Sequence, residues 1–377
     1  QQADAPPPPS FSAIMLVLTS SSASWKSIEC NFPISYHDLF STPTSISGSC
    51  HREARAHTPR FPLLQKVVLR IPKCARFSGP GDNPFDPLDM PMLQQVKLAG
   101  LTSEVSLLPW NQLRKLKLNI AHAAEFSEVL LNGENLEWVH FDVAPADNTI
   151  AFNGPSTSGA WSGVHIVHDK LRVLKMTVTR ASTILLLDYV TLPALRELTL
   201  QNVAKEKIPL NAIENLVARS ACALEKLSLS SSRLEEDAMI GCLERIPTLI
   251  ELGIHVEKGT DGAFGWSFGL MLGICGESAV QTDGMTEKLV LRLASIGEAT
   301  YILPRLRRLS YQGQVVIPVS SVFDMVEWRR RVASEMGLPT LESVRVISYA
   351  SPKALTEEDE ARLRGLRDSG MEICVQV

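Results

Sequence analysis

The chain has 377 residues, 45% of them hydrophobic and 21% charged, with a formal net charge of -4. That balance is ordinary for a globular chain and argues against a wholly basic nucleic-acid coat, and no apolar run reaches the roughly 18 residues a membrane-spanning helix needs. Seven cysteines are scattered, odd in number and without a C-x-x-C pair, which predicts reduced thiols in a cytoplasmic or nuclear protein rather than a disulfide framework.

In chain order, residues 1–14 read as a disordered proline-rich leader holding Pro6, Pro7, Pro8 and Pro9. The apolar stretch 11–18 follows Gln1-Gln2-Ala3-Asp4 and the prolines. A signal peptide wants a basic start and a small-residue cleavage site, so an early helix of the fold is the expectation there. The stretches 41–60 and 77–91 read as loops, the second broken by Pro80, Gly81, Pro84 and Pro87.

Between these loops one phrase recurs: apolar-x-x-apolar-x-apolar, often just after a proline. Leu195, Leu198 and Leu200 form the cleanest copy, and Leu113, Leu116 and Leu118 repeat it, as do Leu224, Leu227 and Leu229. Its first positions are Leu64, Leu93, Leu113, Leu136, Leu171, Leu195, Leu224, Leu249, Leu306 and Leu341, spaced by 29, 20, 23, 35, 24, 29, 25, 57 and 35 residues. Six of those nine spacings fall in the leucine-rich-repeat range of about 20–29. Trp25, Ile28 and Cys30 offer a degenerate extra copy.

The predicted fold is therefore α/β: a leucine-rich-repeat solenoid, or horseshoe, over residues 15–377, with about ten parallel strands on a concave face and irregular helical or loop returns. A degenerate first repeat occupies 15–60. An insertion occupies 257–303, glycine-rich over 259–276, and reads either as one enlarged repeat with an extra helix or as a partner-binding loop. A capping helix and strand occupy 354–377. Helical returns are predicted where Leu210, Ile213, Leu216 and Val217 share a face, across 234–246, across 285–295 and across 322–336. A last helix runs over 356–367, with Thr356 as N-cap, acids after it, Arg362, Arg364 and Arg367 toward its end, and Gly370 as its stop.

Signals for catalysis are weak. His165-x-x-His168 with Asp169 lacks a third and fourth ligand at zinc spacing and reads as two surface histidines near a strand start. Gly262, Gly265 and Gly269 match no phosphate-binding loop, and the serine run 228–232 reads as a strand end and turn. No catalytic residue, cofactor or metal is predicted.

The displayed positions of the phrase are more informative. Its third, fifth and seventh residues point away from the core. They are Lys66, Val68 and Arg70; Gln95, Lys97 and Ala99; Lys115, Lys117 and Asn119; Trp138, His140 and Asp142; Val173, Lys175 and Thr177. Six of these fifteen are Lys or Arg and one is acidic. Such a strip suits a protein partner with an acidic surface, and Trp138 is a natural anchor. Lys97, Lys115, Lys117, Trp138, His140 and Lys175 are the predicted protein-binding residues. Lysine supplied for solubility alone and a loop covering Trp138 are the alternatives.

The run Ser20-Ser21-Ser22-Ala23-Ser24-Trp25-Lys26-Ser27-Ile28, then Phe32-Pro33-Ile34 and Phe61-Pro62-Leu63-Leu64, resembles a segment common in leucine-rich-repeat proteins of mushroom-forming fungi. Leu192-Pro193-Ala194-Leu195, Leu338-Pro339-Thr340-Leu341 and the Gly370-Met371 ending are similar too, so the resemblance covers residues 15–377. In that family the repeats follow an F-box, which docks through an adaptor onto a cullin-type ubiquitin ligase. The resemblance implies a non-catalytic interaction scaffold that recognises targets. A ligase adaptor is an expected partner only if an F-box precedes residue 1, since no Leu-Pro-x-Glu-like opening stands before Trp25. The other readings are a scaffold unrelated to ubiquitination, and an enzyme or nucleic-acid binder using the basic strip. Membrane association is not expected.

Overall fold

The structure is a computed structural model that describes residues 22–31, 61–70, 90–99, 108–120, 123–143, 165–203, 206–256, 284–285, 287–294, 302–349 and 355–376. The expected early helix at 11–18, the loop at 41–60, most of that at 77–91 and the glycine-rich 259–276 lie outside those residues. The chain divides into two compact units, Gln1–Leu171 and Arg172–Val377.

In the first unit, β1 (Ser27–Asn31), β2 (Lys66–Arg70), β3 (Gln95–Ala99), β4 (Lys115–Ile120) and β5 (Trp138–Val143) pair in chain order, every pair parallel. Each of the four phrases beginning at Leu64, Leu93, Leu113 and Leu136 starts two residues ahead of its strand. That entry is repeated at the backbone. The N–H groups of Arg114 and Lys115 both donate to the Gln94 carbonyl, at 2.9 and 3.0 Å, and those of Glu137 and Trp138 both donate to Arg114, at 2.8 and 3.1 Å. Leu64, Leu93, Leu113, Leu116, Leu136, Val139 and Phe141 are buried. Each buried leucine contributes about 1.5–3 kcal/mol of transfer free energy. Because the side-chain period is two, a one-residue slip would expel the whole row, which fixes the register.

The return between β4 and β5 carries helix α1 (Ala123–Asn132). Phe126, Val129 and Leu130 fill its buried face, and Phe126 meets Phe141 at a centroid distance of 5.0 Å. Gly133 ends the helix. A Cβ there would lie 2.2 Å from Leu136 Cδ1, so only glycine lets the chain pass so close to the next phrase.

In the second unit, β6 (Val173–Val178), β7 (Glu197–Asn202), β8 (Lys226–Ser231), β9 (Glu251–Val256), β10 (Arg308–Val315), β11 (Ser343–Ser348) and β12 (Glu372–Gln376) pair in order, again all parallel. The returns hold α2 (Leu210–Ser220), α3 (Glu236–Glu244), α4 (Glu287–Ala294), α5 (Val319–Met336) and α6 (Glu357–Asp368). The unit also holds a 3-10 segment, Ala181–Tyr189, and the two-residue strands Val190–Thr191 and Gly284–Met285, the last pairing with Gln314 and Val315. All ten phrases thus head strands, β1 is the degenerate copy and β12 the closing strand. The result is α/β with an extensive parallel sheet.

Candidate protein-binding face

Five of the six predicted site residues lie on three adjacent strands of the first unit, β3 to β5. Gln95, Lys115 and Trp138 stand in one register row, and Lys97, Lys117 and His140 in the next. Lys66 pairs with Gln95, extending the first row onto β2. Lys175 belongs to the second unit, where it stands in register with Thr199. On β3 and β5 buried and partly exposed residues alternate, so these rows share the face opposite the leucine core.

The lysines are not equivalent. Lys117 Nζ reaches Asp142 Oδ2 at 2.8 Å, and Asp142 Oδ1 meets His140 Nε2 at 3.0 Å. Trp138 stands edge-on to the His140 ring, with centroids 6.0 Å apart and planes at 85°. Partial burial pushes the Asp142 carboxyl up, but the hydrogen bonds from His140 and Lys117, with the charges behind them, outweigh it and hold the group well below the usual carboxylate value. Lys66, Lys97 and Lys115 differ: among the described residues no carboxylate lies within 4.0 Å of them.

The strand path explains this sorting. Rows along a strand repeat every ~6.7 Å and neighbouring strands lie ~4.8 Å apart. Asp142 is one row beyond His140 on the same strand, within reach of Lys117 on β4 but two strands from Lys97. Trp138 is half-buried, so neither an open anchor nor a covered core residue describes it alone.

The face of the second unit is built differently. Lys226 and Arg308 both engage Glu251, the latter at 3.1 Å. Burial works upward on Glu251, but Lys226 and then Arg308 bring it below its ordinary value. The middle row runs Lys175, Thr199, Ser228, Gly253 and Ser310, small beyond the first residue. The serine run 228–232 is the end of this strand, which closes at Ser231, with a bend at Ser232.

His165 is exposed, but the expectation of two surface histidines fails at His168, which is 3% exposed. Its Nδ1 accepts from the Leu171 N–H at 3.2 Å, so its Nε2 carries the proton and donates to the Gly133 carbonyl at 2.8 Å. It is a core ligature between α1 and the next phrase. Among the described residues no group of three His, Cys, Asp or Glu side chains could hold a metal ion, and no helix is long and apolar enough to cross a membrane. A polar groove of about 360 Å³ opens where the first-unit strands begin, lined by Gln94, Gln112, Arg114, Asn135, Glu137 and Lys170 among others. No Ser, Thr, Cys or His lines it.

The residue missed from sequence was Asp142. Its signal was present: it is the one acid among fifteen displayed positions, two residues after His140. No protein-family model matches the chain, and no curated protein matches it.

Proposed function

We propose that both units are leucine-rich-repeat arrays and that the chain is a non-catalytic interaction scaffold whose first-unit sheet face captures a protein with an acidic surface. The observation that carries this reading is the cluster of Lys66, Lys97 and Lys115, uncompensated among the described residues, next to half-buried Trp138 in a chain of net charge -4. Uncompensated charge on a slightly acidic chain favours steering of an acidic partner, and tryptophan concentrates binding energy. Target recognition within an F-box-type ubiquitin ligase is the setting proposed for this activity, on the strength of the family resemblance.

The test compares the full chain with its K97E/K115E/W138A variant in affinity capture from the native source. A partner retained by the first and lost by the second, with circular dichroism unchanged, is the expected outcome. Equal capture by both excludes this face.

A further inference from the structure

Resting on that reading, we propose that the occupant of the face is an extended peptide segment with alternating acidic residues and a nearby apolar side chain, and that Asp142 is the residue that limits the face to such a segment. Lys97 and Lys115 sit on neighbouring strands, one row apart, which places their Cα atoms about 8 Å from each other. Lys66 is two strands from Lys115 in the same row, about 10 Å away. Alternate side chains of an extended peptide lie on one side of it, spaced by ~6.7 Å. An acidic-x-acidic segment therefore brings successive carboxylates within reach of two of these flexible ammonium groups. Trp138 adjoins Lys115 on the next strand. An apolar side chain next to the acidic pair then meets the indole.

Asp142 supplies the limit. Lys117 would otherwise stand beside Lys97 as a further cation of the same row, and His140 follows it there. The carboxylate between them takes both, at 2.8 and 3.0 Å. The face then presents a short cluster of three lysines and not a continuous basic track. A nucleic acid needs many phosphate contacts for useful affinity and loses it steeply with salt. A short cluster with one aromatic edge suits a peptide with few carboxylates. Lysine, an ammonium on a flexible stem, is indifferent to the planar geometry that arginine imposes, which suits separate carboxylates on an extended chain.

The full chain is titrated by fluorescence anisotropy with a labelled peptide of alternating glutamates beside one leucine, its Gln-for-Glu counterpart, and a single-stranded RNA of equal length, at several salt concentrations. The Glu peptide is expected to bind, the Gln peptide to bind at least tenfold more weakly, and the RNA more weakly than the Glu peptide at 150 mM salt. K97E/K115E is expected to weaken the Glu peptide by about tenfold. K117M/D142N removes the bonded pair together and is expected to leave it within about twofold, because the pair carries no net charge. D142N frees Lys117 and is expected to tighten the RNA and steepen its salt dependence by about one in the log–log slope. K117M/D142N weakening the peptide as much as K115M, or a D142N chain with unchanged circular dichroism whose RNA binding matches that of the wild type, overturns the role of Asp142. RNA binding the wild-type chain more tightly than the Glu peptide overturns the peptide as occupant. If K97E/K115E/W138A abolishes partner capture while the Glu and Gln peptides bind alike, the face binds protein but its occupant is not acidic, so the two readings fail separately.

Discussion

Arg329 is the largest of the fully buried side chains among the described residues, and its partners explain how a guanidinium survives there. It donates to the carbonyls of Leu293 and Leu303 at 2.7 Å each and of Ile302 at 3.2 Å. Helix α4 ends at Ala294, so the Leu293 carbonyl belongs to the last turn, where no intrahelical donor is available. Arg329→Met keeps the volume and removes every donor. It should cost about 3 kcal/mol or more, since buried carbonyls left unsatisfied cost 1–3 kcal/mol each, and a thermal melt would show it. Arg329→Lys should fall between, because one ammonium cannot span three carbonyls in two segments. The sequence carried half of this: Arg329 interrupts an apolar stripe of Val322, Val326 and Ala333. Its partners were not legible, because they lie 26 to 36 residues away across a return of irregular length. Cysteine reactivity is a second residue-scale consequence. Burial pushes the Cys242 thiol up to about 12, Glu214 adds to that and Arg245 opposes it, and burial raises Cys222 as well, while Cys374 is half-exposed. Brief alkylation at pH 8 followed by peptide mapping should label Cys374 and spare Cys222 and Cys242, because the thiolate is the reactive form.

Element by element, the ten strands β2 to β11 stand where the phrase put them, each two residues past its first leucine, because apolar period and backbone entry repeat together. Helix α6 shows how far local chemistry reaches. Thr356 Oγ1 accepts from the Asp359 N–H at 3.1 Å and donates to its carboxylate at 2.8 Å. At the other end Gly370 has a φ of 84°, its N–H donates to Arg367 at 2.9 Å and that of Met371 to Leu366 at 3.2 Å, with Leu366 and Met371 both buried. That is the paired closure of a helix by a left-handed residue. Thr356→Ala should cost about 1 kcal/mol in chemical denaturation, with the slope unchanged. The irregular returns were harder to read. The 3-10 segment Ala181–Tyr189 has no amphipathic period in Ile184, Leu185, Leu186 and Leu187, and three of these four are buried, so tertiary packing decides its form. Helix α1 went unpredicted although Phe126, Val129 and Leu130 mark a buried face.

For the whole molecule, 41 acidic residues against 37 Lys and Arg give a charge near balance at pH 7, so acid shifts the chain quickly to strong positive charge. Each unit has a carboxylate that bridges two basic side chains: Asp142 between Lys117 and His140, and Glu251 between Lys226 and Arg308. Both titrate below their ordinary values of 3.8 and 4.5 in the folded chain. Lowered folded values mean that the unfolded chain takes up these protons first, so the stabilisation is complete above the ordinary values and is lost as pH falls through the lowered ones. Losing either carboxylate also leaves Lys117, or Lys226 and Arg308, without a counter-charge. The melting temperature should therefore fall steeply below about pH 4, and D142N and E251Q should each start lower at pH 7 and descend more gently. Added salt should narrow the difference between wild type and variants, since both sites are partly open to solvent and screened by ions. A D142N chain that keeps the wild-type acid slope would show that the lysine and histidine do not hold this carboxylate down, and therefore that Asp142 does not govern how much positive charge the face presents.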